Sequence, residues 1–144
     1  MKTAFKRVLS FLLVLTMVFG TVGAEISGID FGSLFSFQAE AVSGTCGDNL
    51  NWSFSAYTGV LDITGTGEMC DYDFDSRSDA PWYNYRSSIE TVNIADGVTT
   101  IGDYAFYEYS KLTSVTIGNS VTSIGSSAFN LCTSLTSVTI GTGV

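Results

Sequence analysis

The seven letters LTSVTIG occur twice in this sequence, beginning at Leu112 and again at Leu135, so that the chain repeats itself after 23 residues. A looser copy of the same pattern begins at Ile89, with the letters IETVNIA. An internal repeat of about 20–50 residues is typical of proteins in which similar units stack on one another, because one unit alone cannot bury its apolar face. This repeat restricts the possible architecture more than any other feature of the chain.

Apolar residues and glycine fall in the same columns of successive repeats, while the columns between them hold mostly Ser, Thr, Asp and Asn. The matching columns are Ile89, Leu112 and Leu135; Val92, Val115 and Val138; Ile94, Ile117 and Ile140; Val98, Val121 and Val144; Ile101 and Ile124; Gly102 and Gly125; Ala105, Phe106 and Ala128, Phe129. They predict a β-rich solenoid with a 23-residue period, in which each unit packs on its neighbours and Phe106 lies over Phe129.

The pattern within one unit predicts its local structure. From Leu112 to Ile117, apolar and polar residues alternate with period two, which predicts a short strand. A turn at 118–120 leads to a second extended piece at 121–124. In the following segment, SSAFNLC, the spacing of Ala128, Phe129 and Cys132 predicts one or two short helical turns.

The N-terminus has the three parts of a secretory signal peptide. Lys2, Lys6 and Arg7 precede an apolar run from Val8 to Phe19, and small residues follow at 20–24. The run is shorter than the roughly 20 residues that span a bilayer, so we predict a signal peptide over 1–24, export, and no membrane insertion after cleavage. Small residues at 39–41 allow cleavage as late as residue 41, and an uncleaved signal anchor is the alternative. Residues 25–42 form a linker without clear period.

Charge and composition exclude several functions. Without the leader, three basic residues remain against fourteen acidic ones, a formal net charge of −11, which repels nucleic acids and anionic lipids. The chain has no histidine, the usual base of serine and cysteine nucleophiles and a frequent metal ligand. We therefore expect no enzyme activity, no cofactor and no nucleic-acid partner.

Three cysteines in an exported chain raise the question of pairing. Cys46 and Cys70 flank a predicted strand pair and are candidates for a disulfide, although sequence spacing alone cannot establish the short distance that the bond needs. Cys132 falls within a repeat and is interpreted as a small buried apolar residue.

The repeat LTSVTIGNSVTSIGSSAFNLCTS resembles the leucine-rich repeats of BspA-like proteins over residues 88–144. The upstream segments SGTCGDNLNWSF, GVLDITGTGEM and APWYNYRSSIETVNI resemble the lead-in that precedes such repeats, which extends the resemblance back to Ser43. The resemblance implies a non-catalytic protein of the bacterial cell surface or exterior that binds or adheres to an extracellular protein or glycan. It brings no catalytic residues.

The lead-in, residues 43–87, is predicted to contain a β-hairpin. Residues 51–54 and 60–64 alternate between apolar and polar side chains and are joined through a turn at 55–59. We expect the hairpin, with Trp52 and Trp82, to cap the first repeat of the region 88–144. The alternative for these aromatic residues is a platform on which sugar rings stack.

Two surfaces are candidates for binding. The outward residues of the repeat strands are Thr91, Ser114 and Ser137 in one row, and Asn93, Thr116 and Thr139 in the next. They suit hydrogen bonding to a ligand, or serve only as favourable strand surface. A weak calcium candidate consists of Asp71, Asp73, Asp75 and Asp79, whose spacing matches positions 1, 3, 5 and 9 of an EF-hand loop, but the loop lacks the glycine and the final glutamate.

The last residue, Val144, falls in the column of Val121, in the middle of a repeat. We therefore expect a longer protein of which this is the N-terminal part, or self-association through the open repeat end. Two functions follow as hypotheses: a secreted or surface interaction module, or a structural spacer that displays a downstream domain.

Overall fold

Short strands connected by turns make up most of the structure. A computed structural model describes residues 41–73, 75 and 80–144. The signal peptide predicted at 1–24 and nearly all of the linker predicted at 25–42 lie outside the described residues. Within them, the strands are β1 (Val42–Thr45), β2 (Leu50–Ser55), β3 (Val60–Gly65), β4 (Gly67–Glu68), β5 (Thr91–Ile94), β6 (Val98–Ile101), β7 (Ser114–Ile117), β8 (Ser123–Ile124) and β9 (Ser137–Ile140).

The strands form two sheets. The larger has the order β1-β2-β3-β5-β7-β9, in which β1, β2 and β3 pair antiparallel and β3, β5, β7 and β9 pair parallel. The smaller consists of β4, β6 and β8, all parallel. In the larger sheet, Val92 pairs with Val115 and Val115 with Val138, so these partners are 23 residues apart. The β-rich repeat fold predicted from the sequence is therefore confirmed.

Alternation of burial along the strands explains why these segments adopt extended structure. In β5, Val92 and Ile94 are buried and Thr91 and Asn93 are partly exposed; β7 repeats the pattern with Val115 and Ile117. Side chains on a strand alternate between its faces, so the β-branched residues fill the core while the polar ones face outward. In β9 the equivalent Val138 and Ile140 are 48% and 54% exposed, because the described chain places no further strand beside them.

The prediction of short helical turns in the repeats is wrong. Within the described residues the structure has one 3₁₀ helix, Tyr83–Tyr85, and residues 126–131 form successive turns instead. Ser127 and Leu131 have the positive φ angles of 55° and 61°, and Tyr104 and Glu108, one repeat earlier, have 53° and 63°.

Hydrogen bonding between repeats gives the physical reason for this difference. The main-chain N–H groups of Tyr104, Phe106 and Glu108 donate to the carbonyl oxygens of Ser126, Ala128 and Asn130 in the next repeat, at 2.8–3.0 Å. A helix would use these N–H groups within its own segment. The stacked neighbour supplies acceptors instead, and two of the three donors, Tyr104 and Glu108, are the left-handed residues of this segment.

Aromatic rings form a column through the core. Phe106 stacks on Phe129 with ring centroids 5.0 Å apart, as the repeat alignment predicted, and Trp82 stacks on the other side of Phe106 at 5.5 Å. Trp52 contacts the edge of Trp82, with centroids 6.2 Å apart. Both tryptophans are buried, at 5% and 0% exposure, so their rings are packed in the core and offer no open face to a sugar.

The lead-in strands join directly to the repeat strands. β2 and β3 pair antiparallel from Leu50 to Gly65, close to the predicted hairpin limits, and β3 then pairs parallel with β5. The described residues contain no helix that is long and apolar enough to cross a membrane.

Candidate binding groove

A row of polar side chains crosses the larger sheet on its outward face. The pairing register places Ser53 beside Asp62, Asp62 beside Asn93, Asn93 beside Thr116, and Thr116 beside Thr139. Neighbouring strands in a sheet lie about 4.8 Å apart, so these five side chains form a ladder perpendicular to the strands.

This ladder borders an open groove of about 680 Å³. The groove follows the C-terminal ends of β3, β5, β7 and β9 and the turns that come after them. Its lining residues, taken from the outward row, from the last residues of the strands and from those turns, are Ser53, Asp62, Ile63, Thr64, Asn93, Ile94, Ala95, Asp96, Thr116, Ile117, Gly118, Asn119, Thr139, Ile140, Gly141 and Thr142. None of them is basic, and two, Asp62 and Asp96, carry carboxylates.

The polar groups at the lead-in end of the groove are fixed by a direct contact. Asn93 Nδ2 donates a hydrogen bond of 2.8 Å to Asp62 Oδ1, and both side chains are partly buried. This bond orients the Asn93 amide and leaves the second carboxylate oxygen of Asp62 as an acceptor. In contrast, the hydroxyls of Thr116 and Thr139 make no hydrogen bond to another described residue, so they are available to a ligand.

A second ladder lies in the turns beside the strands. Asp96 Oδ1 accepts a hydrogen bond from the main-chain N–H of Asn119, and Asn119 Oδ1 accepts one from the N–H of Thr142. Each pair is 23 residues apart. The side chains therefore connect successive turns and fix one wall of the groove, although this role was not predicted from the sequence.

Other Ser and Thr residues connect the repeats and are not free for binding. Thr113 Oγ1 donates to the carbonyl of Glu90, and Thr136 Oγ1 donates to that of Thr113. Thr122 Oγ1 contacts the carbonyl of Thr99 in the same way. The threonine hydroxyls therefore have two roles. Some hydrogen-bond to the main chain of the neighbouring repeat, and those of Thr116 and Thr139 face the groove; the position of a residue in the repeat decides which role it has.

The six predicted binding residues divide into two sets. Asn93, Thr116 and Thr139 line the groove, whereas Thr91, Ser114 and Ser137 form a separate row that does not. Sequence reasoning missed Asp62 and Asp96. Asp62 belongs to the lead-in hairpin, so only the β3–β5 register reveals that it continues the row.

The calcium candidate is not assembled by the described residues. The Asp71 carboxylate accepts a hydrogen bond of 2.9 Å from the N–H of Asp103, and an oxygen of Asp73 accepts one from the N–H of Asp75. Asp79 lies outside the described part of the chain. Within that part, no three carboxylate or thiol side chains cluster as a metal site would require.

The cysteines are present as thiols. Cys46 is buried, Cys70 is exposed, and Cys132 is partly buried. Cys132 Sγ donates to the carbonyl of Phe106 at 3.1 Å, and burial raises the pKa of the thiol. A protonated, hydrogen-bonded thiol of this kind agrees with the interpretation of Cys132 as a packing residue.

The groove has the chemistry of a binding surface. Hydroxyl, amide and carboxylate groups at regular spacing can hydrogen-bond the hydroxyl, amide or amine groups of a ligand. Two carboxylates without a basic neighbour in the lining disfavour an anionic ligand.

Comparison with known proteins agrees with this architecture. Residues 80–144 match the family model described as "BspA type Leucine rich repeat region (6 copies)". In this chain the matched segment contains three copies of the repeat strand, β5, β7 and β9. Among curated proteins, no similar sequence was found.

One solved structure similar to this chain is that of a leucine-rich repeat protein from Eubacterium ventriosum. The two share 35% sequence identity and a TM-score of 0.64, over 69% of this chain. The aligned region is 26% of the other protein, so this chain spans about a quarter of the length of that relative.

Proposed function

Since residues 80–144 are a BspA-type leucine-rich repeat region, we propose that this protein is a non-catalytic binding protein that is exported and holds an extracellular protein or glycan in the groove across β3, β5, β7 and β9. The ladder Asp62–Asn93–Thr116–Thr139 carries this proposal, because strand register brings polar groups of four strands into one row. The N-terminal leader, with its basic start and apolar run, supports export.

The groove favours a neutral or cationic ligand that extends across the strands. Its hydroxyl and amide groups suit the hydroxyls of a polysaccharide or the main chain of an extended peptide. The lining lacks Trp, Tyr and Arg, which dominate high-affinity interfaces. We therefore expect binding of modest affinity at one groove, and avidity from several grooves if more repeats follow.

The experiment is a binding measurement with probes of defined chemistry. The 144-residue chain is immobilised and exposed to soluble neutral polysaccharides and to an unstructured basic peptide. The double variant Thr116→Arg, Thr139→Arg fills the groove with bulky cationic side chains and is expected to lose at least about tenfold in affinity. Ser123→Arg, at an exposed position of β8 in the other sheet, is the matched control.

Equal binding by the parent chain and both variants would contradict the groove as the binding site. Loss of binding in the Ser123→Arg variant alone would place the site on the other sheet.

A structural spacer is the second function, and the exposed side chains of β9 favour it. Val138 and Ile140 occupy columns that are buried in the preceding repeats, so a further repeat can stack on β9 and continue both sheets. In that case the lead-in caps one end of a solenoid whose role is to separate a downstream domain from its anchor. A chain that binds none of the probes, while its extended form displays an active domain, would support the spacer.

A further inference from the structure

Cys46 and Cys70 lie at a junction between the two sheets. Cys46 comes directly after β1 of the larger sheet, and Cys70 comes two residues after β4 of the smaller sheet. The main-chain N–H of Cys70 donates a hydrogen bond of 3.2 Å to the carbonyl oxygen of Cys46. Because this bond joins the main chains of the two residues, their Cα atoms are held about 5–7 Å apart, which overlaps the range that a disulfide needs.

The backbone on both sides of this contact is fixed. The N–H of Cys46 donates to the carbonyl of Leu50 at 3.1 Å, which closes the turn between β1 and β2. On the other side, Gly102 of the first repeat packs directly against the Cys70 carbonyl, where a side chain would not fit. The fold therefore holds the main chains of the two cysteines side by side.

The two thiols also share one environment. Burial, with the nearby Cys70 as a second cause, raises the pKa of the Cys46 thiol to about 12. The pKa of the Tyr72 hydroxyl is raised first by burial and then by electrostatic interaction with Cys46 and Cys70. Cys132 is the contrast, since its thiol hydrogen-bonds to the carbonyl of Phe106 in a different part of the core.

From this geometry we propose that Cys46 and Cys70 form a disulfide within the lead-in, which fastens the end of β1 to the segment after β4 against which Gly102 of the first repeat packs. The oxidant is a disulfide compound, either a small molecule or a protein. The proposal does not depend on the binding function.

Exposure sets the order of the two steps. The exposed Cys70 thiol loses its proton and attacks the oxidant, forming a mixed disulfide and releasing one thiol of the oxidant. The Cys46 thiol then loses its proton and attacks the Cys70 sulfur, which releases the second thiol. In total, two protein thiols become one disulfide while the oxidant's disulfide is reduced to two thiols, so that atoms and electrons balance.

The bond would close a loop that contains β2, β3 and β4. A cross-link of this length restricts the unfolded chain more than the folded one, and we expect it to raise Tm by roughly 5–15 °C. The segment after β4, against which Gly102 packs, is then held to the end of β1 covalently as well as by the main-chain hydrogen bond.

Peptide mapping of the full 144-residue chain tests the proposal. Protease cleavage after glutamate separates the three cysteines, because Glu40, Glu68, Glu90 and Glu108 lie between and around them. The folded chain is treated with oxidised glutathione, then unfolded in the presence of the alkylating reagent and digested. The expected result is one linked pair, peptide 41–68 joined to peptide 69–90, while Cys132 in peptide 109–144 is alkylated.

Two variants sharpen the test. Cys132→Ser is expected to retain both the linked peptides and the difference in Tm between oxidised and reduced protein, whereas Cys70→Ser loses both. If Cys70→Ser fails to fold, the test uses the parent chain alone, and its Tm is expected to be higher in the oxidised than in the reduced form. Alkylation of Cys46 and Cys70 after oxidation, a Cys46–Cys132 pair, or cross-linking between chains through Cys70 would each overturn the proposal.

Discussion

The indole ring of Trp82 stacks on the phenyl ring of Phe106, with ring centroids 5.5 Å apart and ring planes inclined by 16°. The indole Nε1–H also donates a hydrogen bond of 3.0 Å to the carbonyl of Ala105, which lies 23 residues further along the chain. Trp82 therefore extends the stack formed by Phe106 and Phe129 by one ring, at the place where the lead-in meets the first repeat. A single side chain joins the two parts of the fold by stacking and by a hydrogen bond.

Removing this ring should destabilise the protein strongly. Trp82 is fully buried, so Trp82→Ala leaves a large cavity and an unpaired Ala105 carbonyl, and we expect a loss of about 3–5 kcal/mol in the free energy of unfolding. Trp82→Phe keeps a stacked ring and should cost less. Urea unfolding followed by circular dichroism measures both. Tyr57→Ala, at a position 87% exposed, is the control and should change stability by less than about 0.5 kcal/mol.

Gly102 is expected to be intolerant of any side chain. A Cβ atom at this position would overlap the carbonyl oxygen of Cys70. In the same column of the next repeat, a Cβ atom at Gly125 would lie 2.5–2.6 Å from main-chain atoms of Asp103 and Gly102. Gly102→Ala must displace the segment after β4, and we expect it to cost about 3 kcal/mol or more, measured by urea unfolding. Ser123→Ala, at an exposed position, should have little effect. A Gly102→Ala variant as stable as that control would show that the segment after β4 moves easily.

The strands could be predicted from the sequence because the alternation of apolar and polar residues matches the alternation of buried and exposed side chains on a strand. The Val and Ile columns of β5 and β7 are buried, as the repeat predicted. The helical turns could not. The spacing of Ala128, Phe129 and Cys132 fits a helix equally well. What decides against it is the preceding repeat, whose main-chain N–H groups donate to carbonyl oxygens of this segment, and local sequence does not contain those donors. The positive φ of Leu131 is the clearest sign that contacts between repeats outweigh the local preference, since a leucine rarely adopts positive φ.

The strain at Leu131 predicts a difference between two substitutions. A left-handed conformation costs a residue with an ordinary side chain about 1–2 kcal/mol, and asparagine tolerates it better. Leu131 is 47% exposed, so either replacement also loses part of its apolar burial. We expect the free energy of unfolding of Leu131→Asn to exceed that of Leu131→Ala by about 0.5–1 kcal/mol. Leu131→Ala is the matched control, because alanine keeps the strain, and equal stability of the two variants would show that strain at this position is negligible.

The candidate groove was predicted only in part. Thr116 and Thr139 follow from the repeat alone, since equivalent columns must align when units stack. Asp62 does not, because the lead-in has a different sequence and its register against β5 is set by tertiary pairing of β3. Asp96 and Asn119 share a column, but the side-chain to main-chain bond between them becomes visible only in the folded turns.

Stability should fall at alkaline pH because of buried tyrosines. Burial raises the pKa of Tyr109, and its hydroxyl has no hydrogen-bond partner among the described residues. Above about pH 10 the unfolded chain releases this proton while the folded chain retains it, so the free energy of unfolding decreases as pH rises; below that pH the group has no effect. Tyr109→Phe should therefore leave the urea midpoint near pH 7 unchanged or slightly higher, and should flatten its decline above about pH 10.

Tyr57→Phe, at an exposed position, is the control for that experiment and should leave the pH profile as it is. All three proteins are compared with their cysteines reduced and at the same pH values, so that the titration of the thiols contributes equally. Parallel pH profiles for the parent chain and Tyr109→Phe would contradict a buried neutral tyrosine.

The exposed edge of the sheet at β9 should promote association of the 144-residue chain. Val138 and Ile140 face the direction in which Val115 and Ile117 are buried, and the outer edge of β9 has no pairing strand among the described residues. Free strand edges with apolar side chains pair readily with another chain. Sedimentation velocity over a range of concentrations should show dimers or larger species, and Ile140→Lys should shift them toward monomer by introducing a charge into the contact. Thr139→Lys, which points to the groove instead, should leave association much less affected; a concentration-independent monomer in all three proteins would show that β9 does not pair in solution.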